Sequence, residues 1–337
     1  MTKTVVVIPG DGIGREVIPV AVKVLKAVAP NIELVEAEAG LETWKRTGET
    51  LPEETLELCR EADAILFGAC TTPEDPSAES PIIRLRRELD LYANVRPARS
   101  WPIPRRPIEE DFDFVIVREN TEDLYIGCES EVHPGVTVAM RKISEEGTRR
   151  VAEVACDLAE ERGSDRVTVV HKANVMKLTC GTFKRVAREV IESRGLEFDE
   201  CYVDAAAYRM VIDPGSFDVV LTPNMFGDIL SDEAAGLMGS LGLAPSGNVG
   251  DDHGLFEPVH GSAPDIAGKG IANPMAAILS AAMMLEWLGE KEAARAVEEG
   301  VAAAISEGVV TPDLGGEAGT MEVAGFVREK ALEVFEG

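Results

Sequence analysis

Two aspartates spaced four residues apart, Asp228 and Asp232, are the first residues in this sequence whose spacing suggests chemistry. In a helix they would share one face, and the apolar residues Ile229 and Leu230 between them argue against a solvated acidic run. Carboxylates in apolar surroundings need a partner, and a divalent cation such as Mg²⁺ prefers oxygen ligands. An exposed helix start, where Asp is favoured by capping and by the helix dipole, explains the same spacing, so both interpretations stay open.

Three arginines could bind the carboxylates of a substrate. Arg86 and Arg96 flank residues 89–94, and Arg118 follows an apolar segment that ends at Val117. A guanidinium binds a carboxylate through two parallel hydrogen bonds, whereas a lone arginine is usually a surface charge. Three arginines at one pocket would match a substrate with two or three carboxylates.

Lys172 and Tyr125 could move protons. Lys172 directly follows another apolar segment, and Tyr125 ends a polar segment that begins after Arg118. A lysine near a cation can act as a general base, and a tyrosine can donate a proton. Each residue taken alone would more often be structural. The four histidines show no metal-ligand spacing, so we assign none of them to a metal.

Alternating strands and helices must position these residues. Apolar strands are predicted near residues 5–8, 32–38, 64–68, 114–117, 167–170 and 217–222, with helices near 15–28, from 52, and 145–161. This order predicts a largely parallel sheet covered by helices, and ligands of such sheets gather at the carboxyl ends of strands. The turn at residues 10–14 is rich in glycine but lacks the G-x-G-x-x-G spacing, so it is not a dinucleotide fingerprint.

Composition limits the class of protein. A length of 337 residues predicts two domains, and the proline-rich segment 101–107 is typical of a crossing between them. A net charge of −27 argues against a nucleic-acid partner. Six scattered cysteines without a Cys-x-x-Cys pair are typical of reduced thiols in a cytoplasmic enzyme. The N-terminus does not have the form of a signal peptide, and no apolar run is long enough to span a membrane.

Six blocks of sequence together resemble the β-decarboxylating dehydrogenases, the family that includes isocitrate, 3-isopropylmalate and homoisocitrate dehydrogenases. They follow the family's order over nearly the whole chain and occupy residues 8–14, 85–97, 117–122, 171–174, 226–232 and 257–268. The resemblance implies a two-domain α/β fold with a mixed, largely parallel sheet that is not a Rossmann fold. The expected domains are a large nucleotide-binding domain (1–99 plus 250–337) and a small domain (100–249) with the metal and substrate residues. Residues from about 127 to 145 would be a hairpin that serves as a dimerisation arm.

The same resemblance implies a role for each matching residue. Lys172 would be the base and Tyr125 would protonate the product enol. Asp228 and Asp232 would bind Mg²⁺ or Mn²⁺ together with Asp204 of a partner subunit, in a homodimer with shared active sites or a tetramer. The substrate, a 2-hydroxy di- or tricarboxylate, would contact Thr72, Ile82, Ile83, Arg86, Arg96, Arg118, Tyr125, Lys172 and Asn174. The nucleotide would contact Ile13, Thr71, His260, Gly261, Ser262, Ala263, Pro264, Asp265 and Asn273.

Two features predict the cofactor and the substrate. Asp265 would accept a hydrogen bond from the ribose 2′-hydroxyl and repel a 2′-phosphate, which predicts NAD. Ile82 and Ile83 are apolar, which suits an isopropyl group or the methylenes of a longer chain. Residues 71–73, 80–82 and 119–125 are most similar to homoisocitrate dehydrogenases, although an extra arginine for the distal carboxylate is lacking and Arg84 could point away.

The expected reaction is therefore the NAD-dependent oxidative decarboxylation of a 3-substituted (2R)-malate, homoisocitrate to 2-oxoadipate, with 3-isopropylmalate and then isocitrate as the alternative substrates. A catalytically silent regulatory subunit is a rival of another class, but the chain keeps Lys172, Asp204, Asp228 and Asp232. A metal-dependent hydrolase would leave the three arginines and residues 261–265 unexplained.

Overall fold

The computed structural model describes residues 2–75, 78–103 and 106–337. The strands are β1 Thr4–Ile8, β2 Glu33–Glu36, β3 Ala64–Phe67, β4 Ala93–Arg99, β5 Asp113–Glu119, β6 Glu129–His133, β7 Val136–Ala139, β8 Arg166–His171, β9 Glu197–Tyr202, β10 Val219–Thr222, β11 Pro245–Val249 and β12 Gly254–Pro258. The helices are α1 Gly14–Val28, α2 Leu41–Thr47, α3 Glu53–Glu61, α4 Pro81–Glu88, α5 Glu145–Arg162, α6 Thr179–Ser193, α7 Val203–Ile212, α8 Asn224–Met238, α9 Met275–Trp287, α10 Lys291–Ser306 and α11 Thr320–Glu336.

The chain forms two compact units. Unit 1 consists of Met1–Leu91, Trp101–Pro107 and Met238–Gly337. Its strands are ordered β2-β1-β3-β12-β11, and only the β11–β12 pair is antiparallel. Strands β1 and β3 are almost wholly buried because parallel strands covered by helices are apolar on both faces. One hydrophobic cluster packs these strands against α3 and α4.

Unit 2 consists of Tyr92–Ser100 and Ile108–Leu237. Its strands are ordered β4-β5-β10-β8-β9, with β4 antiparallel to β5 and the other neighbours parallel. Helices α5 and α6 pack on this sheet and bury apolar faces against it. Both units are thus mixed and mainly parallel, which confirms the α/β fold class that the sequence predicts.

The unit boundaries differ from the predicted ones at residues 99–100 and 249–250. Strand β4 belongs to unit 2 because it pairs with β5 along its whole length. Strand β11 belongs to unit 1 because it pairs with β12. Segment 101–107, which the sequence interprets as a crossing, is assigned to unit 1, and its residues 104 and 105 lie outside the described part of the chain.

Strands β6 and β7 form a separate antiparallel hairpin within the predicted arm. Every residue of both strands is exposed, including the apolar side chains of Val132, Val136 and Val138. Within the described residues, no helix combines the length and the apolar content that a bilayer crossing requires.

Candidate active site

The paired aspartates lie on helix α8, which starts at Asn224 directly after strand β10. Asp228 and Asp232 are the fifth and ninth residues of the helix, so both lie beyond its first turn. Their positions therefore do not fit helix capping, which was the alternative explanation of the four-residue spacing. The side chain of Asp228 is 40% exposed and that of Asp232 is 61% exposed.

Arg118, at the carboxyl end of β5, is buried against the start of α8. Its guanidinium donates to the Asp228 carboxylate and makes two further bonds to Asn224 Oδ1, from Nε at 3.0 Å and from Nη2 at 2.7 Å. Gly227 is required beside it, because a Cβ at that position would lie 2.6 Å from Arg118 Cγ. The sheet edge and α8 together hold this arginine in one orientation.

Two more side chains converge on the same helix face. Arg96 donates to Ser231 Oγ at 2.6 Å, and its Nη1 lies 3.4 Å from Asp228 Oδ1 and 3.9 Å from Asp232 Oδ1. The Tyr125 hydroxyl donates to Asp228 Oδ2, while the Arg118 guanidinium lies 5.0 Å from the centre of the Tyr125 ring. Asp228 thus accepts hydrogen bonds from two arginines and a tyrosine.

The charges of Asp228, Asp232, Arg96 and Arg118 determine how this site could accept a charged substrate. Although the Asp232 side chain is largely exposed, partial desolvation beside the helix raises its pKa; the charge of Asp228 adds to that effect, and the charges of Arg96 and Arg118 oppose it. Arg96 and Arg118 carry two positive charges that offset the two aspartates. A polyanionic substrate would therefore bring uncompensated negative charge unless a divalent cation came with it. The donor oxygens present fit Mg²⁺ or Mn²⁺.

Lys172 and Asp204 form a second group in unit 2. Lys172 follows β8, Asp204 lies in the first turn of α7, and the ammonium donates to the carboxylate. This hydrogen bond lowers the pKa of Asp204. Asn174 is exposed nearby in the chain. Across the part of the chain that the structure describes, no three His, Cys, Asp or Glu residues form a metal-binding group, so Asp204 does not join Asp228 and Asp232 within one subunit.

In unit 1, Arg86 is buried on α4 and forms an ion pair with Glu257 at 3.2 Å. Glu257 also accepts a hydrogen bond from Asn248 Nδ2 at 3.0 Å. Ile82 packs against the hydrophobic cluster of unit 1, whereas Ile83 remains half-buried at the surface of α4.

The predicted nucleotide residues of unit 1 fall into two groups. Thr71 Oγ1 lies 2.7 Å from Ser262 Oγ, and the Ile13 amide donates to the Ser262 carbonyl at 2.8 Å. Asp265 is exposed in the same irregular segment as Gly261, Ala263 and Pro264, and Thr72 is exposed beside Thr71. The exposed carboxylate of Asp265 is therefore accessible to a ligand.

His260 and Asn273 are instead buried. Asn273 donates to Asp313 at 3.0 Å and accepts from the Met275 amide at 3.0 Å, so it helps to cap α9. His260 Nδ1 lies 3.0 Å from the Gly261 carbonyl, and its Nε2 has no hydrogen-bond partner among the described residues. Burial lowers the pKa of His260, so the ring is neutral near pH 7.

The sequence interpretation missed three residues that contact the arginines and a fourth, Asn248, that contacts Glu257; the three are Asn224, Ser231 and Glu257. A signal existed for the first two, because they lie four residues before and three residues after Asp228 and so share its helix face. Glu257 and Asn248 carried no such signal, since they meet only through the pairing of β11 with β12.

The chain is similar to known proteins over nearly its whole length. The sequence profile of the isocitrate/isopropylmalate dehydrogenase family matches residues 4–327. A 3-isopropylmalate/3-methylmalate dehydrogenase of Methanocaldococcus jannaschii is 51% identical over 97% of this chain and 98% of its own length. An isocitrate/homoisocitrate dehydrogenase of Thermus thermophilus is 52% identical over 95% of this chain and 96% of its own.

A solved β-decarboxylating dehydrogenase of Thermococcus kodakarensis superposes with a TM-score of 0.86 at 45% identity, over 98% of this chain and 96% of that one. The match extends over both units, and the predicted family blocks lie within the range that the profile covers. The protein is therefore a β-decarboxylating dehydrogenase of the isocitrate/isopropylmalate dehydrogenase family.

Proposed function

We propose that the protein catalyses the NAD-dependent oxidative decarboxylation of 3-isopropylmalate with Mg²⁺ or Mn²⁺. The observation that carries this choice of substrate is the arrangement of side chains around Ile83 on α4. Ile83 lies three residues before Arg86 and so shares its helix face. A malate held by Arg86 would present its 3-substituent to this apolar side chain.

The arginines next to Arg86 in sequence are committed elsewhere. Arg84 donates to the Leu51 carbonyl at 2.9 Å and to Glu53 at 2.8 Å. Arg87 donates to Glu79 at 2.6 Å. Both guanidiniums are thus engaged by protein groups of unit 1, which favours an apolar 3-substituent over the distal carboxylate of homoisocitrate. The sequence alone placed homoisocitrate first, and these contacts support reversing that order.

Homoisocitrate remains the second candidate. The Thermus relative named isocitrate/homoisocitrate dehydrogenase is as similar to this chain as the Methanocaldococcus relative named for 3-isopropylmalate and 3-methylmalate. Overall sequence similarity therefore does not distinguish the two substrates. The preference for 3-isopropylmalate rests on the contacts of Arg84 and Arg87 in α4.

The residues of the chain account for the proton and charge transfers of the reaction. Lys172 would take the proton of the C2 hydroxyl while the hydride passes from C2 to bound NAD, and Tyr125 would return a proton to C3 after carbon dioxide departs. Arg86, Arg96 and Arg118 bind the carboxylates. A divalent ion at Asp228 and Asp232, when bound, stabilises the negative charge that develops on oxygen.

A second copy of the chain would complete the site. Among the described residues Asp204 forms no metal-binding group with Asp228 and Asp232, which supports a site in which Asp204 and its partner Lys172 come from a second subunit. The exposed hairpin β6–β7 supports such a partner, because an isolated two-stranded hairpin is marginally stable in water. Exposed apolar side chains of α7, among them Tyr208 and Val211, add surface of the kind that a partner would cover.

The direct experiment follows NADH formation with Mg²⁺ and each of three acids: 3-isopropylmalate, homoisocitrate and isocitrate. We expect the highest kcat/KM with 3-isopropylmalate. A higher kcat/KM with homoisocitrate would contradict the proposal that Ile83 selects an apolar 3-substituent. No turnover with any of the three acids would refute the proposed reaction.

A further inference from the structure

The glycine-rich turn at residues 10–14 is not a dinucleotide fingerprint, yet it contains a buried carboxylate with unusual partners. Asp11 Oδ2 accepts hydrogen bonds from the amides of Leu41 at 2.7 Å and Thr71 at 2.9 Å, and Oδ1 accepts one from Glu42 at 3.2 Å. Asp11 is only 4% exposed. Three backbone amides from two distant segments therefore meet at one carboxylate.

Two of these amides belong to the start of α2. The helix begins after Gly40, which has no side chain to cap the free amides of the first turn, and Asp11 caps them from another segment. A side chain at Gly40 would collide with this cap, since a Cβ there would lie 2.1 Å from Asp11 Oδ2. The local structure is thus built around the carboxylate.

The third amide leads to the predicted nucleotide segment. Thr71 is held through its backbone by Asp11, and its hydroxyl lies 2.7 Å from Ser262 Oγ. The same turn also contacts Ser262 directly, because the Ile13 amide donates to the Ser262 carbonyl at 2.8 Å. A Cβ on Gly12 would lie 2.0 Å from that carbonyl oxygen, so the two segments are in close contact.

The backbone after Ser262 needs such support. Ala263 has a φ of 39°, in the left-handed region that non-glycine residues rarely adopt. A conformation of this kind persists only where neighbouring contacts hold it. The Ile266 amide donates to the Ala263 carbonyl at 3.1 Å, and the preceding residue, Ser262, is held by Thr71 and Ile13, with Asp11 accepting from the Thr71 amide.

We propose that Asp11 is a positioning residue for the nucleotide, acting through Thr71 on Ser262. This inference rests on the proposed use of NAD by that segment. Without the carboxylate, the Thr71 amide and the start of α2 lose their acceptor, and the segment samples conformations that NAD must then reorder on binding. The expected consequence is weaker NAD binding with little change in the chemical steps.

The test measures the Kd of NAD without substrate, by titration calorimetry well below the unfolding temperature of each variant. In Asp11→Asn an NH₂ group replaces one acceptor oxygen and opposes a backbone amide, so we expect Kd to rise about tenfold. The value of kcat at saturating NAD should stay within about twofold of wild type. The matched control is Asp63→Asn, since the Asp63 carboxylate accepts from the Thr4 amide at 2.7 Å, at the start of β1. It should lower stability and leave the Kd of NAD unchanged.

A double-mutant cycle with Thr71→Val tests whether Asp11 acts on Ser262 through Thr71. If Asp11 acts through Thr71 and Ser262, the effects of Asp11→Asn and Thr71→Val on the Kd are not additive. Additive effects, or a loss of stability with an unchanged Kd, would overturn the proposal. Should Asp11→Asn fail to fold, Gly12→Ala provides the second variant, because its methyl group would displace Ser262 directly. If wild type binds NADP and not NAD, the proposed cofactor fails, and the same comparison made with NADP still decides the role of Asp11.

Discussion

The guanidinium of Arg118 and the carboxylate of Asp228 form an ion pair in which one partner is buried and the other is partly open. The Arg118 side chain is 1% exposed and that of Asp228 is 40% exposed. Asp228 therefore balances a buried charge from one side and offers oxygen to the surface on the other. Asp232, one helical turn later, is 61% exposed, and its Oδ1 lies 3.9 Å from Arg96 Nη1. This longer contact balances the arginine's charge less closely than Asp228 balances that of Arg118.

This difference predicts that the two aspartates respond differently to removal of their charge. Asp228→Asn should abolish activity and lower the free energy of unfolding by about 2 kcal/mol, because Arg118 loses its charged partner. Asp232→Asn should cut activity by orders of magnitude while the unfolding free energy stays within about 1 kcal/mol of wild type. Urea unfolding and Mn²⁺ titration of both variants check this. Near-normal rates in Asp232→Asn would refute its role as a metal ligand.

The proposal that a partner subunit supplies Lys172 and Asp204 predicts complementation between inactive chains. Lys172→Met and Asp228→Asn should each be inactive alone. When they are coexpressed, each heterodimer regains one intact site, so random pairing should restore about a quarter of the wild-type rate. Coexpression of Lys172→Met with Asp204→Asn is the control, since both residues would come from the same subunit and no intact site forms. Failure of the first pair to regain activity would place Lys172 and Asp228 in sites of the same chain.

The proposed contact of Ile83 with the 3-substituent predicts that a substitution there changes the preferred substrate. Ile83→Arg should raise kcat/KM for homoisocitrate and lower it for 3-isopropylmalate by about tenfold or more, because a charge replaces apolar surface beside the 3-substituent. Arg84→Gln is the control. It breaks the bond to Glu53 and should leave the substrate ratio unchanged, since that side chain faces α3. An unchanged ratio in Ile83→Arg would mean that another residue contacts the substituent.

Asp265 is expected to set the cofactor preference. Asp265→Asn removes the charge that would repel a 2′-phosphate, so the ratio of kcat/KM for NAD to that for NADP should fall by about tenfold. Asp252→Asn, at another exposed position of unit 1, should leave the ratio as in wild type. Steady-state rates with both nucleotides provide the measurement, and an equal ratio in the two variants would remove Asp265 from the nucleotide site.

Buried histidines predict a loss of stability at acid pH. Burial lowers the pKa of His171 and of His260 from the usual value of 6.5. The unfolded chain takes up these protons near pH 6.5 and the folded chain only at lower pH, so the unfolding free energy falls as pH drops below about 6.5. His260→Gln should reduce the slope of unfolding free energy against pH between about 6.5 and 5, whereas His133→Gln, on the exposed hairpin, should not. Equal slopes in wild type and His260→Gln would contradict the assignment.

Local patterns in the sequence predicted much of the fold and part of the site. The apolar runs of β1, β3, β5, β8 and β10 were visible because strands buried on both faces lack polar alternation. The helical phase of Asp228 and Asp232 followed from a spacing of four residues. Each of these patterns is formed by residues close together in the sequence, so it can be recognised without the tertiary structure.

The sequence by itself determined the family and the set of chemically competent side chains, since these depend on residue types and their order along the chain. Only the tertiary structure decided which polar group each arginine meets. Arg118 binds Asn224 across 106 residues, Arg86 pairs with Glu257 across 171, and Arg84 turns to Glu53. Strand order and register bring these residues together, and the same pairing places β4 and β11 in their units. No local pattern carries that information, because it arises from contacts between segments that are distant in the chain.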